Sequence, residues 1–241
     1  MSRDATIWQS PEVTRAFLNN VRGAFPHAAD QLAVMHQLLR TGRPIERFLD
    51  LGCGDGVLAA AVLQQWPDAE AVLMDFSEPM LEAARTRFGE GATVLKRDFS
   101  ASNWAEDFQS FDAVVSGFAI HHQPDDRKQR IYRDIFSLLG PGGWFINIEH
   151  TASASPLGNC LWEQQMVDAL YRHHRQQNPA ITRDQVHREF TARQEREADI
   201  LSPVWDQCQW LRDIGFVDVD CFFKSYELAV FGGRTPADEF H

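Results

Sequence analysis

Leu49-Asp50-Leu51-Gly52-Cys53-Gly54-Asp55-Gly56 is the stretch that decides the fold. It begins inside a short apolar run, Arg47-Phe48-Leu49-Asp50-Leu51, breaks at glycines on alternate positions, and leads into the helical-looking residues Val57 to Trp66. Strand, glycine turn and helix in that order open a crossover unit, because glycine has no Cβ and tolerates the positive φ that such a turn requires. The alternation repeats outward. Ala71 to Asp75 reads as a strand and Pro79 to Phe88 as a helix; Thr93 to Leu95, Phe111 to Val115 and Trp144 to Ile148 read as further strands, with a helix over 127 to 139. Strands separated by helices imply right-handed crossovers, hence an α/β fold with a largely parallel, doubly wound sheet covered on both faces.

Upstream, residues 10 to 40 place Val13, Phe17, Val21, Leu32, Met35, Leu38 and Leu39 at helical spacing, broken by Gly23 and Pro26, which predicts two opening helices. Between His150 and Ser202 strand signals vanish, and polar helical sequence carrying Trp162, Met166, Leu170, Tyr171 and Phe190 predicts an inserted helical cap. A helix over 203 to 214 then stops at Gly215 and leads into two strand-like runs, Val217 to Phe223 and Tyr226 to Phe231. Only Lys224 and Ser225 separate them, and so short a link permits only an antiparallel pair. The tail after Arg234 is expected to fray. The expected organisation is one domain over 1–241: N-terminal helices 1–42, core 43–150, cap 151–202, and final helix with hairpin 203–234.

The formal net charge of -11 disfavours a nucleic-acid partner, whose phosphates demand clustered Lys and Arg. Four cysteines without a C-x-x-C pair suggest neither a zinc site nor a disulfide framework and fit a reducing cytoplasm. The opening Met1-Ser2-Arg3-Asp4 has no apolar run behind it, and no stretch is apolar enough to span a bilayer, so no membrane partner is expected. His173 and His174 are adjacent on a predicted helix and point about 100° apart, so no metal site is expected.

The glycine spacing is G-x-G-x-G; Val57 stands where a dinucleotide fingerprint would need its third glycine, which places an NAD-dependent oxidoreductase last among the readings. Asp75 ends the second strand nineteen positions after Gly56, where a carboxylate can accept from both hydroxyls of a ribose. With Asp50 and Asp98 it makes three carboxylates around one crevice, which repel pyrophosphate but suit a ligand bearing ammonium and sulfonium charges. These residues resemble the class I S-adenosylmethionine (SAM)-dependent methyltransferases, over roughly 40 to 150 and again 203 to 234. The resemblance implies a seven-strand sheet in the order 3-2-1-4-5-7-6 with strand 7 antiparallel, and SAM as cofactor. It implies that Gly52 and Gly54 pass the methionine end with Asp50 nearby, and that Asp75 binds the ribose. Phe76 would then pack on the adenine and Met80 close its pocket, while Asp98 and the Phe99 backbone read the adenine edge. Ser116, Gly117 and Phe118 would line the reaction centre. Phe76 and Met80 read equally well as plain core.

SAM carries an activated methyl, so the protein must mainly align a nucleophile and, where needed, remove a proton. His121 and His122 follow the fourth strand at its carboxyl end, where ligands of open α/β sheets bind, and either imidazole is a candidate catalytic base. Glu149-His150 ends the fifth strand on the same side. Arg188, Arg193 and Arg196 can bind an acidic substrate, although their interleaving with Glu189, Glu195 and Glu197 favours a solvated, ion-paired face. Trp8, Phe17, Phe25, Trp162, Met166, Tyr171 and Phe190 are candidate pocket walls, which predicts a partly apolar small-molecule substrate. A homodimer is compatible with the sequence. Two alternatives keep the cofactor: a non-catalytic SAM-binding regulator, against which the intact motif argues, and an enzyme similar to the carboxy-SAM synthases. That family carries an arginine where this chain has Trp210, and Gly-Cys-Ser where this chain has Gly52-Cys53-Gly54.

Overall fold

A computed structural model describes residues 5–237; Met1-Ser2-Arg3-Asp4 and residues 238–241 lie outside the described residues. Seven strands, β1 (Arg47–Leu51), β2 (Glu70–Asp75), β3 (Thr93–Lys96), β4 (Phe111–Gly117), β5 (Leu139–His150), β6 (Val217–Ser225) and β7 (Leu228–Arg234), form one sheet in the order β3-β2-β1-β4-β5-β7-β6. The first five pair in parallel, and β7 runs antiparallel to both β5 and β6. The expected order and the reversed seventh strand are both observed.

The central strands are apolar on both faces because helices cover both. One face packs Leu49, Leu51 and Val114 against α5 (Asp125–Leu138) and α8 (Val204–Ile214) through Ile131, Tyr132, Ile135, Cys208 and Leu211. The other packs Phe48, Leu73 and Val115 against α2 (Ala28–Leu39), α3 (Val57–Gln65) and α4 (Glu78–Phe88) through Met35, Leu39, Val62 and Leu81. A third cluster joins Val21 and Ala24, which follow α1 (Pro11–Asn20), to Trp162, Met166 and Leu170 of α6 (Pro156–Gln177) and to Val186 and Phe190 of α7 (Arg183–Thr191). Burying one such large side chain contributes about 1.5–3 kcal/mol, so this cluster fastens the cap to the N-terminal segment.

Three local expectations change. β5 begins at Leu139 instead of Trp144, because Gly140-Pro141-Gly142-Gly143 carries turn chemistry yet stays on the ladder across a register shift opposite Phe111 and Ala113. The hairpin turns at Tyr226-Glu227, two residues later than Lys224-Ser225, with Tyr226 at φ 50°. The chain after Arg234 does not fray at once: Thr235 N donates to the Gly143 carbonyl at 3.0 Å and Thr235 is buried, which returns unpaired groups of the β5 bend to hydrogen bonding.

Candidate active site

The glycine turn sits at the carboxyl end of β1, with Gly52, Gly54 and Gly56 all at positive φ (68°, 55° and 79°). Gly52 N and Cys53 N donate to the Met74 carbonyl at 2.8 and 3.0 Å, which presses the turn onto the end of β2. The space a Cβ on Gly52 would need belongs to Ala119. Asp75 is buried at the end of β2, where one carboxylate oxygen accepts from Gly54 N at 2.9 Å and the other from Ser77 N at 2.8 Å. Burial pushes its carboxyl up, and the backbone N–H groups of Ser77, Gly54 and Phe76 oppose that rise. These donors do not exhaust the roughly four lone-pair sites of a carboxylate, so Asp75 can still accept from a ligand.

Asp75 borders a cavity of about 790 Å³, within the size range of small-molecule sites. One end is lined by Asp50, Gly52, Gly54, Asp75, Phe76, Met80, Asp98 and Phe99, which brings together the expected cofactor set except Ser116. The other end is lined by Phe17, Phe25, Phe118, Trp162, Met166 and Phe190 from the N-terminal segment, the strand-four loop and the cap. Phe25 and Phe118 pack with ring centroids 4.5 Å apart, and Trp8 meets Phe17 edge-on at 5.1 Å. Tyr171 falls outside the cavity and packs against the third core cluster.

Ser116 corrects its expectation. It is fully buried, its hydroxyl donates to the Leu51 carbonyl at 2.7 Å, and it does not line the cavity, because side chains alternate along β4 and the lining falls to Gly117 and Phe118. Asp50 lines the cavity and also braces the fold, accepting from Ala59 N at 2.9 Å in the first turn of α3, where a carboxylate satisfies a helix donor.

The two histidines have opposite characters. His121 is buried, with Nδ1 2.6 Å from Glu149 and Nε2 3.2 Å from Asp199. Burial opposes its charge, but Glu149 and Asp199 outweigh burial and raise its pKa to about 10, so it stands as an imidazolium. His122 is lowered to about 3 by burial and then by the neighbouring His121 cation. Trp8 Nε1 donates to His122 Nε2 at 3.2 Å, and an indole N–H cannot accept, so the His122 proton sits on Nδ1, 3.3 Å from the Ala198 carbonyl.

Three further groups complete this network. Asp199 also reaches His150 Nδ1 at 3.5 Å, and His150 Nε2 lies 2.8 Å from Glu227. Burial works against ionisation of Asp199, but hydrogen bonds to His121 and His150 hold its carboxyl below the ordinary range. His150 is lowered by burial and raised more strongly by Asp199 and Glu227, with a net rise. Sequence reading named neither Asp199 nor Glu227. The pairing of β4 beside β5 was the available signal for His121 with Glu149, since Gly117 aligns with Ile148; nothing local announced Asp199.

The expectation of no metal rested on His173 and His174. Those serve packing: His174 Nε2 is 2.8 Å from the Asn20 carbonyl. The structure instead collects His121, His122 and Asp199, whose candidate ligand atoms lie within 4.8 Å of one another. Trp8 argues against a cation there, since its indole N–H requires the proton on His122 Nδ1, the ring nitrogen that lies 3.6 Å from Asp199.

Two cations of α5 brace the site. Arg127 donates to the carbonyls of Phe99 and Ala101, and Lys128 donates to Asp125, to the Ile200 carbonyl and to Ser202 Oγ. One fixes the loop after β3 and the other fixes the return of the cap. The Ser77 hydroxyl donates to the Trp8 carbonyl at 2.5 Å, which draws the segment Ala5–Gln9 over the cavity. Arg188 is exposed as expected, but Arg193 and Arg196 line the cavity, which corrects the solvated reading for those two. Trp210 packs against the first core cluster, away from the cavity.

Residues 48–143 match the family model described as a methyltransferase domain. An uncharacterized methyltransferase of Mycobacterium tuberculosis is 36% identical over 115 residues, covering 47% of this chain and 54% of the relative. A demethylmenaquinone methyltransferase of Clavibacter sepedonicus is 30% identical over 161 residues, 64% of each chain. The chain thus spans between half and two thirds of the length of these relatives. A solved structure titled PigF with SAH shares the fold with a TM-score of 0.64 at 18% identity, covering 98% of this chain and 62% of that one. No described helix is long and apolar enough to cross a membrane. The sheet order, the glycine turn with its strand-end carboxylate and the match of residues 48–143 to a methyltransferase domain together support a class I SAM-dependent methyltransferase with S-adenosylmethionine as cofactor.

Proposed function

We propose that the protein transfers the methyl group of SAM to a small molecule held beneath the cap. The observation that carries this reading is a single cavity whose acidic end is built from Asp75, Asp98 and the glycine turn and whose other end is aromatic. The acidic end fits the cofactor by its chemistry: Asp75 keeps accepting capacity for the ribose, and three carboxylates suit a ligand with two positive centres. Gly52 and Gly54 let the methionine end approach the backbone, Phe76 and Met80 enclose the adenine, and Asp98 with the Phe99 backbone meets its edge. Asp50 and Ser116 hold the helix start and the strand end that shape this pocket.

The cofactor supplies an electrophilic methyl. The chain's own work is to align the acceptor, exclude water and handle one proton. His121 already donates both N–H groups to carboxylates, so it is a positioning residue. His122 is neutral, and its Nε2 lone pair meets only the Trp8 indole; when Trp8 withdraws, that lone pair faces the acceptor. A hydroxyl or amine becomes strongly acidic as it gains a methyl, so even a base with a pKa of about 3 can take its proton. His122 is therefore the proposed catalytic base. Residues 1–241 are read as one domain in which the N-terminal helices and cap close over the core, working in the cytoplasm on a small molecule.

Calorimetric titration with SAM, S-adenosylhomocysteine and NADH tests the cofactor assignment. Tight binding of the two adenosyl-sulfur compounds without NADH supports it; binding of NADH alone, or of nothing, overturns it.

A further inference from the structure

The cavity is polarised. Its cofactor end carries carboxylates, while two guanidinium groups, Arg193 and Arg196, stand at the cap end beside Phe190. A site for a cationic cofactor has no use for arginines among its acceptor walls, and in an acidic chain of net charge -11 their placement inside the cavity calls for an account.

Arg196 is the better defined of the two. It lies in the turn Gln194–Ala198 that follows α7, partly buried, with its guanidinium carbon 4.3 Å over the centre of the Phe190 ring. Nη1 is 3.5 Å from the Phe190 carbonyl, the outer limit of a hydrogen bond. Among the described residues no carboxylate lies within ion-pair distance of it, although Arg43, Arg47, Arg85, Arg87, Arg130 and Arg183 all have such partners. Stacking fixes the plane of the guanidinium and leaves the fork of N–H donors in that plane, the geometry that receives a carboxylate through two parallel hydrogen bonds.

We infer that Arg196 anchors an anionic group of the methyl acceptor, and that the acceptor is a planar, largely apolar compound bearing a carboxylate. The inference rests on the methyltransferase reading and adds the acceptor's charge to it. The planar body is suggested by the walls: Phe25 packed on Phe118 and Trp162 packed beside His150 line the cavity with aromatic surface against which a flat ring can stack. A carboxylate is the chemistry both of such an acceptor and of the methionine end of the cofactor. Arg196 and Phe190 belong to the cap and share their surroundings with Trp162 and Met166, which assigns the anchor to the acceptor. The same residues also explain the discrimination expected: a neutral analogue leaves the guanidinium partly desolvated and without a counter-charge.

The test uses 2-naphthoate and its neutral isostere 2-naphthamide, titrated calorimetrically into the full chain saturated with S-adenosylhomocysteine. The wild type is expected to bind the naphthoate at least tenfold more tightly than the amide. Arg196→Gln is expected to abolish that difference while keeping the wild-type affinity for S-adenosylhomocysteine and the wild-type melting temperature, and Arg196→Lys to restore part of it. Equal binding of the two probes to the wild type, absence of binding by both, or discrimination that survives Arg196→Gln overturns the inference. Loss of S-adenosylhomocysteine affinity in Arg196→Gln also overturns it and gives the anchor to the cofactor's own carboxylate. Failure of the wild type to bind S-adenosylhomocysteine at all is the separate result that sinks the underlying cofactor reading.

Discussion

Glu149 holds the imidazole of His121 at 2.6 Å on one side while Asp199, arriving from the cap fifty residues along the chain, holds it at 3.2 Å on the other. A buried cation between two carboxylates is stable only while all three groups stay ionised. The pair His121–Asp199 is thus a clasp between the end of β4 and the return of the cap.

Stability should peak near pH 6.5. The His121 pKa is raised to about 10 from 6.5, so its contribution is complete below pH 6.5 and fades as pH rises through 10. The His122 pKa is depressed to about 3, so its contribution is complete above pH 6.5 and fades as pH falls toward 3; Asp199 and Glu149, both held below the ordinary carboxylate range by the histidines, add stability that is likewise lost on the acid side. Melting temperature measured from pH 4 to 10 checks this; a flat profile on the alkaline side contradicts the imidazolium assignment.

Asp199→Asn removes one carboxylate and leaves His121 and His150 with a neutral partner. Breaking a buried pair in this way costs about 3–5 kcal/mol at full burial, and Asp199 is 17% exposed, so a loss of about 2–3 kcal/mol is expected. Chemical denaturation measures it, and hydrogen exchange should locate the loosening in α6 and α7.

Asp75→Ala should weaken SAM binding by roughly ten- to a hundredfold, since hydrogen bonds to a charged acceptor contribute about 1.5–3 kcal/mol. The Gly54 and Ser77 N–H groups lose their acceptor in the same stroke, so the turn loosens as well. Calorimetry reads the affinity, and an unchanged value refutes the ribose assignment.

Gly52→Ala places a methyl group where Ala119 already lies and forces a residue with a Cβ to φ 68°. A residue held in that region costs about 1–3 kcal/mol before the steric overlap is added. The expected result is lower stability together with weaker cofactor binding. Gly54→Ala has free space around it, its nearest neighbour being the Met80 sulfur at 3.8 Å, and should be the milder change in stability.

The rate of methyl transfer should hold steady as pH falls from 8 to 5. An ordinary histidine base would lose activity in that interval, whereas His122 with a pKa of about 3 stays unprotonated throughout. The pH profile of kcat/KM decides the matter, and His122→Asn should lower kcat by about a hundredfold or more.

The sheet was readable from sequence because Leu49–Leu51 and Ala71–Asp75 are apolar runs stopped by strong turn residues, and because Lys224 and Ser225 left room only for a hairpin. Its boundaries were not, where Gly140-Pro141-Gly142-Gly143 imitates a loop while staying in β5. The residues proposed for the cofactor end could be named in advance because they sit at fixed places on strand ends, and they line one cavity. The proton-handling end was not: Asp199 and Glu227 are single carboxylates in polar surroundings whose partners appear only once cap and hairpin are folded against β4 and β5. Arg193 and Arg196 were read as solvated by the charge pattern around them, which carries no information about which side of a turn faces a cavity.

The bond from Ser77 to the Trp8 carbonyl and the bond from the Trp8 indole to His122 belong to one short turn of helix that touches both ends of the cavity. Lifting that turn uncovers the adenosine side and unmasks the imidazole in a single displacement.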